Sequence, residues 1–304
     1  MMERACVQRT DRAGFPIADE ESRRSPMSQG AVFRALHERD GVFIIPNPWD
    51  AGSARILAGL GFDALATTSA GLAFSLGLPD GCVRRDAVLD HCRTIVAATD
   101  LPVSADLENG FGDSPERVAD TIRAAAATGL AGCSIEDYTG KRDEPIYPFS
   151  LAVERIAAAV AACRALPDDF VLTARCENLI RGRNDLDDTI ARLQAFAAAG
   201  ADVVYAPGLR DLDAIRAVCT AVNVPVNVIM GLPGVTFGAA ELAAAGVKRI
   251  SVGSALARAA YGAFLAGARE MAESGTFSFG GTASSFAELG AFFQVYCQPT
   301  HEAS

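Results

Sequence analysis

Residues 102–112 read P-V-S-A-D-L-E-N-G-F-G, a short strand-like run that carries Asp106 and Glu108 into a glycine-rich corner at Gly110 and Gly112. Alternate side chains on a strand share a face, so the two carboxylates are expected to point the same way. Two acids on one face beside a tight turn suit a hard, oxygen-ligated cation. The same pattern also describes a strand whose outer face is wet, and the parity of one strand does not say which face is inside. The rest of the chain has to decide.

Working outward, apolar runs alternate with helical ones. Strands are expected at 42–46, 64–69, 103–107, 132–136, 170–175, 202–206, 226–230 and 249–253. Helices are expected at 51–60, 85–98, 114–128, 150–166, 186–199, 212–222, 236–245 and 254–272, with a first helix at 31–39. Several helices end in glycine just before the next strand, as in A-A-G-A-D and A-A-G-V-K-R-I, which is a helix stop followed by a buried parallel strand. Eight such β-α units in one chain of 304 residues predict a (β/α)8 TIM barrel over residues 27–273. No G-x-G-x-x-G follows a strand, which weighs against a dinucleotide fold.

The flanks read differently. Residues 1–26 are polar and Arg-rich, without the apolar core of a secretory signal, and are expected to be a disordered extension. Residues 274–285 form a Gly/Ser-rich hinge, and residues 286–296 form a last helix with Leu289, Phe292, Phe293 and Tyr296 at helical spacing. That apolar stripe has to be buried, either on its own barrel or on a neighbouring subunit, and the expectation is that this helical extension docks on a neighbouring subunit.

A net charge of −10 argues against a nucleic-acid or anionic-membrane partner, and no apolar run reaches the ~20 residues of a membrane span. The eight cysteines show no C-x-x-C spacing, so reduced thiols and a cytoplasmic location are expected. The three histidines fall in helical patterns or the tail, which disfavours His-based zinc or nucleophilic chemistry.

In such a barrel the chemistry belongs at the C-terminal ends of the strands. The polar residues there are Asn47, Trp49 and Asp50 after strand 1, T-T-S-A-G and Asp80 after strand 2, Asp106 and Glu108 after strand 3, Glu136 and Asp137 after strand 4, Arg175 and Glu177 after strand 5, and Asn227 on strand 7. Four acids converging in a small space cannot all ionise without a cation. Mg2+ is the natural choice, with Mn2+ as a substitute, because it keeps several waters and needs only one or two direct carboxylates. Asp106 is the expected direct ligand, with Asp80, Glu108 and Glu136 holding metal waters. Arg175 is expected to clamp a substrate carboxylate. Ser69, Ala70, Gly71, Trp49, Asn109, Gly110 and Asn227 complete the expected substrate-binding set. Each has a plainer reading: Asp80 as a turn residue, Glu136 with Asp137 as a helix cap, Arg175 as a charge balance for Glu177, and Trp49 as core.

The motifs N-P-W-D-A-G-S-A, T-T-S-A-G-L-A-F-S-L-G-L-P-D-G, A-D-L-E-N-G-F-G, S-I-E-D and T-A-R-C-E-N, in this order, resemble the isocitrate lyase/phosphoenolpyruvate mutase superfamily. The resemblance implies a Mg2+-binding barrel acting on small 2-oxo or 2-hydroxy acids. Asp106 would be the direct metal ligand, Asp80, Glu108 and Glu136 the outer-shell acids, Arg175 the substrate arginine and residues 69–71 the carboxylate cradle. It also implies paired subunits that exchange the last barrel helix, as a homodimer or homotetramer. The chain departs from the family after strand 4. The cleaving lyases carry a Lys-Lys-Cys-Gly-His-type loop there, whereas residues 138–147 read Y-T-G-K-R-D-E-P-I-Y. The phosphonate branch has an Asn in its gating loop and a His after strand 6, and neither is present. Glu108 also replaces the shorter Asp of many members. The expected function is therefore a Mg2+-dependent lyase that cleaves a C–C bond in a small anionic 2-oxo or 2-hydroxy acid through a metal-stabilised enolate, with Lys141 or Tyr138 as acid/base candidates. The alternatives are P–C chemistry on a phosphonate such as phosphonopyruvate, and a barrel that binds a 2-oxo acid without turning it over.

Overall fold

The computed structural model describes residues 27–296; the extension expected at 1–26 lies outside them. Eight parallel strands form the barrel: β1 (Phe43–Ile45), β2 (Leu65–Ala66), β3 (Val103–Asp106), β4 (Gly132–Glu136), β5 (Val171–Arg175), β6 (Val203–Tyr205), β7 (Val226–Ile229) and β8 (Arg249–Ser251). Each strand pairs in parallel with its neighbour in sequence, and β1 pairs with β8. The remaining seam, between β1 and β2, is bridged by the Ala66 N–H donating to the Pro46 carbonyl at 3.0 Å. A TIM-type (β/α)8 barrel, nearly closed, is therefore the fold.

Helix starts follow local capping chemistry. After α1 (Gln29–Glu38), α2 (Ala51–Gly59) is capped by Asp50, whose carboxylate accepts from the Ser53 N–H at 2.7 Å. Next come α3 (Ser69–Ser75), α4 (Arg85–Val96), α5 (Pro115–Ala126), α6 (Phe149–Arg164), α7 (Leu186–Ala198), α8 (Leu212–Ala221) and α9 (Ala239–Ala244). Gly129 and Gly200 follow α5 and α7 with φ of 89° and 104°, so the chain turns back toward the next strand through a conformation that glycine adopts without strain. The outer faces of the strands and the inner faces of the helices share one apolar layer, including Ile122, Ile135, Leu172 and Phe196. At the N-terminal end α1 plugs the barrel, packing Phe33 and Leu36 against Phe43, Val171 and Val203.

Two local differences from the sequence pattern have simple causes. Strand 2 stops at Ala66, and residues 69–75 form α3, a seven-residue helix capped by Thr68. Its sequence, S-A-G-L-A-F-S, is too short and too uniformly small or apolar to show a period. Helix α9 begins at Ala239, because Gly238 is its cap, the Gly238 N–H donating to Glu241 Oε2 at 2.9 Å.

Helix α10 (Ala255–Ser274) ends at the left-handed Gly275 (φ 63°), followed by a 3-10 turn and α11 (Phe286–Phe293). In this single chain α11 lies against α2 of its own barrel. The Phe292 ring packs so closely on Gly59 that a Cβ there would meet it at 2.8 Å, and the Arg55 guanidinium stacks 4.2 Å from the Tyr296 ring. Phe286 and Val295 are left facing solvent.

Candidate active site

At the C-terminal rim, β3 ends on Asp106 and the backbone fixes that carboxylate. The Ser69 N–H donates to Asp106 Oδ2 at 3.2 Å and the Glu108 N–H to Oδ1 at 3.3 Å, while the Asp106 N–H donates to Thr67 Oγ1 at 3.0 Å. Strand parity does not carry to Glu108, which corrects the equal-parity expectation. Its φ is +49°, so the chain has already left the strand, and its side chain reaches the rim through a turn. Glu108 still faces the same acids. Burial first, then the charges of Asp106 and Asp80, push its carboxyl up to about 7. Asp80 is likewise raised, by burial and then by Asp106. Glu136 is raised well above the usual carboxylate range, by burial and then by Glu177.

Arg175, at the end of β5, joins these acids. Its Nε contacts Glu177 Oε1 and lies 3.4 Å from Glu136 Oε2, and its terminal nitrogen lies 3.8 Å from Asp106 Oδ1. Arg181 pairs with the other Glu177 oxygen at 3.0 Å and sits 3.5 Å from the Tyr138 ring centroid. Thus Asp80, Asp106, Glu108, Glu136 and Glu177 share two arginines. The sequence pattern set Glu177 at the rim without a role in the site, and it left Arg181 out. Their i, i+4 spacing was the available signal, but it also describes an ordinary helix-surface pair.

A cavity of about 170 Å³ opens at this rim. Of the residues singled out in the sequence, Asn47, Ser69, Ala70, Asp80, Asp106, Arg175 and Asn227 line it. Glu136 adjoins through Arg175. The others lie elsewhere. Gly71 is packed against Trp49 Cβ and Thr68, and the Trp49 carbonyl accepts from or faces His91 Nε2 at 3.0 Å. The Asn109 amide donates to the Tyr147 hydroxyl at 3.2 Å, and its oxygen accepts from the Phe111 N–H. Gly110 accepts from Thr121 Oγ1 at 2.8 Å. These contacts hold the corner in shape. Residues 138–147 form a small hairpin, with Tyr138 bridged to Ile146. Tyr138 stacks on Arg181, and the Lys141 ammonium is solvent-facing, 3.9 Å from Asp113.

Among the described residues no three Asp, Glu, His or Cys side chains converge as a complete metal cage. The donor set that lines the cavity is made of carboxylate, hydroxyl and amide oxygens. It suits an ion that keeps most of its waters and takes one or two carboxylates, and the raised acids mark a surplus of negative charge that such an ion would relieve.

The sequence matches the phosphoenolpyruvate phosphomutase family over residues 33–272. It is 34% identical to the 2-methylisocitrate lyase of Escherichia coli K12 over 208 residues, which is 66% of this chain and 69% of that protein. A Burkholderia cenocepacia J2315 protein, described only in general terms as a lyase/mutase, has a crystal structure that superposes with a TM-score of 0.86 at 62% identity, covering 88% of this chain and 96% of that one. The structure of an oxaloacetate acetylhydrolase in complex with its product oxalate superposes with a TM-score of 0.78 at 27% identity, covering 88% and 95%. With its barrel, its rim of acids around Asp106 and these matches, the chain belongs to the phosphoenolpyruvate phosphomutase family, within the isocitrate lyase/phosphoenolpyruvate mutase superfamily.

Proposed function

We propose that the protein is a Mg2+-dependent lyase that cleaves a C–C bond in a small 2-oxo or 2-hydroxy acid. The observation that carries this reading is the shared cavity of Asp80, Asp106 and Arg175, bordered by acids too crowded to ionise together. Asp106 would hold the ion directly, with Asp80, Glu108 and Glu136 holding its waters. When bound, Mg2+ supplies Lewis-acid stabilisation of negative charge developing on the substrate's carbonyl oxygen.

The chain's own residues do the rest. Arg175 spends its Nε on Glu177 and Glu136, and its terminal nitrogens, one of them 3.8 Å from Asp106, would face a substrate carboxylate in the cavity. The Glu177 carboxylate is fully buried and is held from the other side by Arg181, so it fixes the orientation of the Arg175 plane. The hairpin at 138–147, with Tyr138 laid over Arg181, would be the element that closes over the site. The relatives named as 2-methylisocitrate lyase and oxaloacetate acetylhydrolase support C–C cleavage over P–C chemistry. The family match to a phosphomutase keeps phosphonopyruvate as the second substrate to test.

The test is a screen of 2-oxo acids, 2-hydroxy acids and phosphonopyruvate with and without Mg2+, following pyruvate, glyoxylate and CO2. Turnover of a carboxylic acid that requires Mg2+ and falls at least about a hundredfold in Asp106→Asn is expected, a loss in line with removing a strong electrostatic contributor. Turnover of phosphonopyruvate alone would replace C–C with P–C chemistry. Binding of Mg2+ and oxalate with no turnover of any of these compounds would leave a binding barrel.

A further inference from the structure

The interior of a parallel eight-stranded barrel is ordinarily filled by bulky branched side chains. One layer below the rim, this barrel is built otherwise. Ser104 lies two residues before Asp106 on β3, Ser134 two before Glu136 on β4, and Thr173 two before Arg175 on β5. Residues two apart on a strand share a face, so small hydroxyl side chains stand directly beneath the charged rim. Ser104, Ser134, Asn227 and Arg249 line the same cavity as Asp106 and Arg175. The apolar plug of Phe33, Phe43, Val171 and Val203 closes the barrel further down. The cavity is therefore a polar well with a floor.

Arg249 is the charge in that well. It is 5% exposed, and its partners are all neutral: Nε donates to Asn227 Oδ1 at 2.9 Å, one terminal nitrogen to Thr173 Oγ1 at 2.8 Å, and the other faces His37 Nε2 at 3.2 Å. His37 Nδ1 lies 2.8 Å from the Phe33 carbonyl, so Nδ1 carries the proton and Nε2 accepts from Arg249. Burial first, then the Arg249 charge, lowers His37 to about 3 and keeps it neutral. Among the described residues no carboxylate pairs with Arg249, whose own pKa burial lowers to about 10. Isolated buried charge is costly, and a guanidinium has five N–H donors, of which these contacts use three. Across the sheet the acids of the rim already share Arg175 and Arg181, so the lone cation lies below them with no anion of its own.

The geometry points to this well as the subsite for a second, distal carboxylate of the substrate, with Arg249 as its counter-charge and Ser104 and Ser134 as hydroxyl donors. This rests on the rim reading above and narrows it. One end of the substrate would sit at the metal and Arg175, and the other would reach down the barrel axis. Two residues of strand span about 6.6 Å, which suits a diacid of about four to six carbons rather than a monoacid.

The test compares acids of equal length in the presence of Mg2+ by calorimetry: malate against 2-hydroxybutyrate, and 2-oxoglutarate against 2-oxovalerate, with oxalate as the ligand that has no distal arm. A charge-assisted contact predicts that each diacid binds about tenfold or more tightly than its monoacid partner. In Arg249→Met that advantage is expected to fall below about threefold. Arg249 also ties β5, β7 and α1 together, so this variant can fail to fold; Ser134→Leu, which fills the well and leaves those bonds alone, is then the deciding variant, with the same expected loss. If oxalate fails to bind with Mg2+, the rim reading falls. If oxalate binds but diacid and monoacid bind alike, or Ser134→Leu leaves their ratio unchanged, the well is not a substrate subsite. Bromide found at Arg249 by anomalous scattering and retained beside bound malate would also overturn it, making the well a site for inorganic anions.

Discussion

Glu108 shows how a residue at this rim departs from what its sequence position suggests. Its backbone is left-handed, at φ +49°, which costs a non-glycine residue of the order of 1–2 kcal/mol. Its carboxyl is also crowded by burial and by Asp106 and Asp80. Both costs are typical of strain retained for a site. Glu108→Gly is therefore expected to raise the unfolding free energy by up to about 1 kcal/mol, after the entropic cost of glycine is subtracted, and to weaken Mg2+ binding. Urea unfolding and a Mg2+ titration check the two halves; a variant both less stable and unimpaired in Mg2+ binding would contradict this account. Asp106, Asp80 and Arg175 were legible as rim residues because each follows a strand in the count of eight. The placement of Glu108 was not, because the strand ends two residues before it and no residue type announces that. Arg249 was less legible still: in V-K-R-I-S it reads as a surface cation at the start of a strand.

Elements show the same division between local and distant causes. The order of strands and helices is written in local patterns, including apolar runs, Asp and Ser caps and glycine stops. What holds the acidic corner at residues 109–113 is not. Arg155 of α6, almost wholly buried, donates to the carbonyls of Asn109, Gly112 and Asp113 and stacks 4.1 Å from the Tyr147 ring. The three carbonyls lie more than 40 residues away, so the sequence shows only an arginine in an alanine-rich helix. Replacing it with Met leaves three part-buried carbonyls without this donor, and a loss of about 2 kcal/mol is expected from chemical unfolding. Helix α1 carries a pH signature of its own. His37 has a folded-state pKa of about 3 and protonates near 6.5 once unfolded. The unfolded chain thus binds the extra proton between these values, and stability falls as pH drops from about 6.5 toward 3, by roughly 1.4 kcal/mol per unit from this group. His37→Gln should flatten that slope in thermal melts across pH 4–7; an unchanged slope would show that His37 is not buried neutral.

At the scale of the molecule, the chain leaves a large apolar surface at its C-terminal end. Phe264, Phe277 and Phe286 are 68%, 70% and 100% exposed, well beyond the scattered exposure usual for a monomer. The expected cover is a second copy, giving a homodimer or homotetramer, and truncation after Ser274 should then lower the mass found by light scattering; a full-length chain that stays monomeric at high concentration would contradict this. No helix among the described residues is long and apolar enough to cross a membrane. The proposed site lies at the C-terminal rim of the barrel, where Asp106 would hold a metal and Arg175 would receive a small acid. The most direct measurement is calorimetric titration of oxalate into the protein with and without Mg2+, repeated with Asp106→Asn. The account predicts oxalate binding that requires Mg2+ and is lost in the variant, whereas binding that persists without the metal, or in Asp106→Asn, would contradict it.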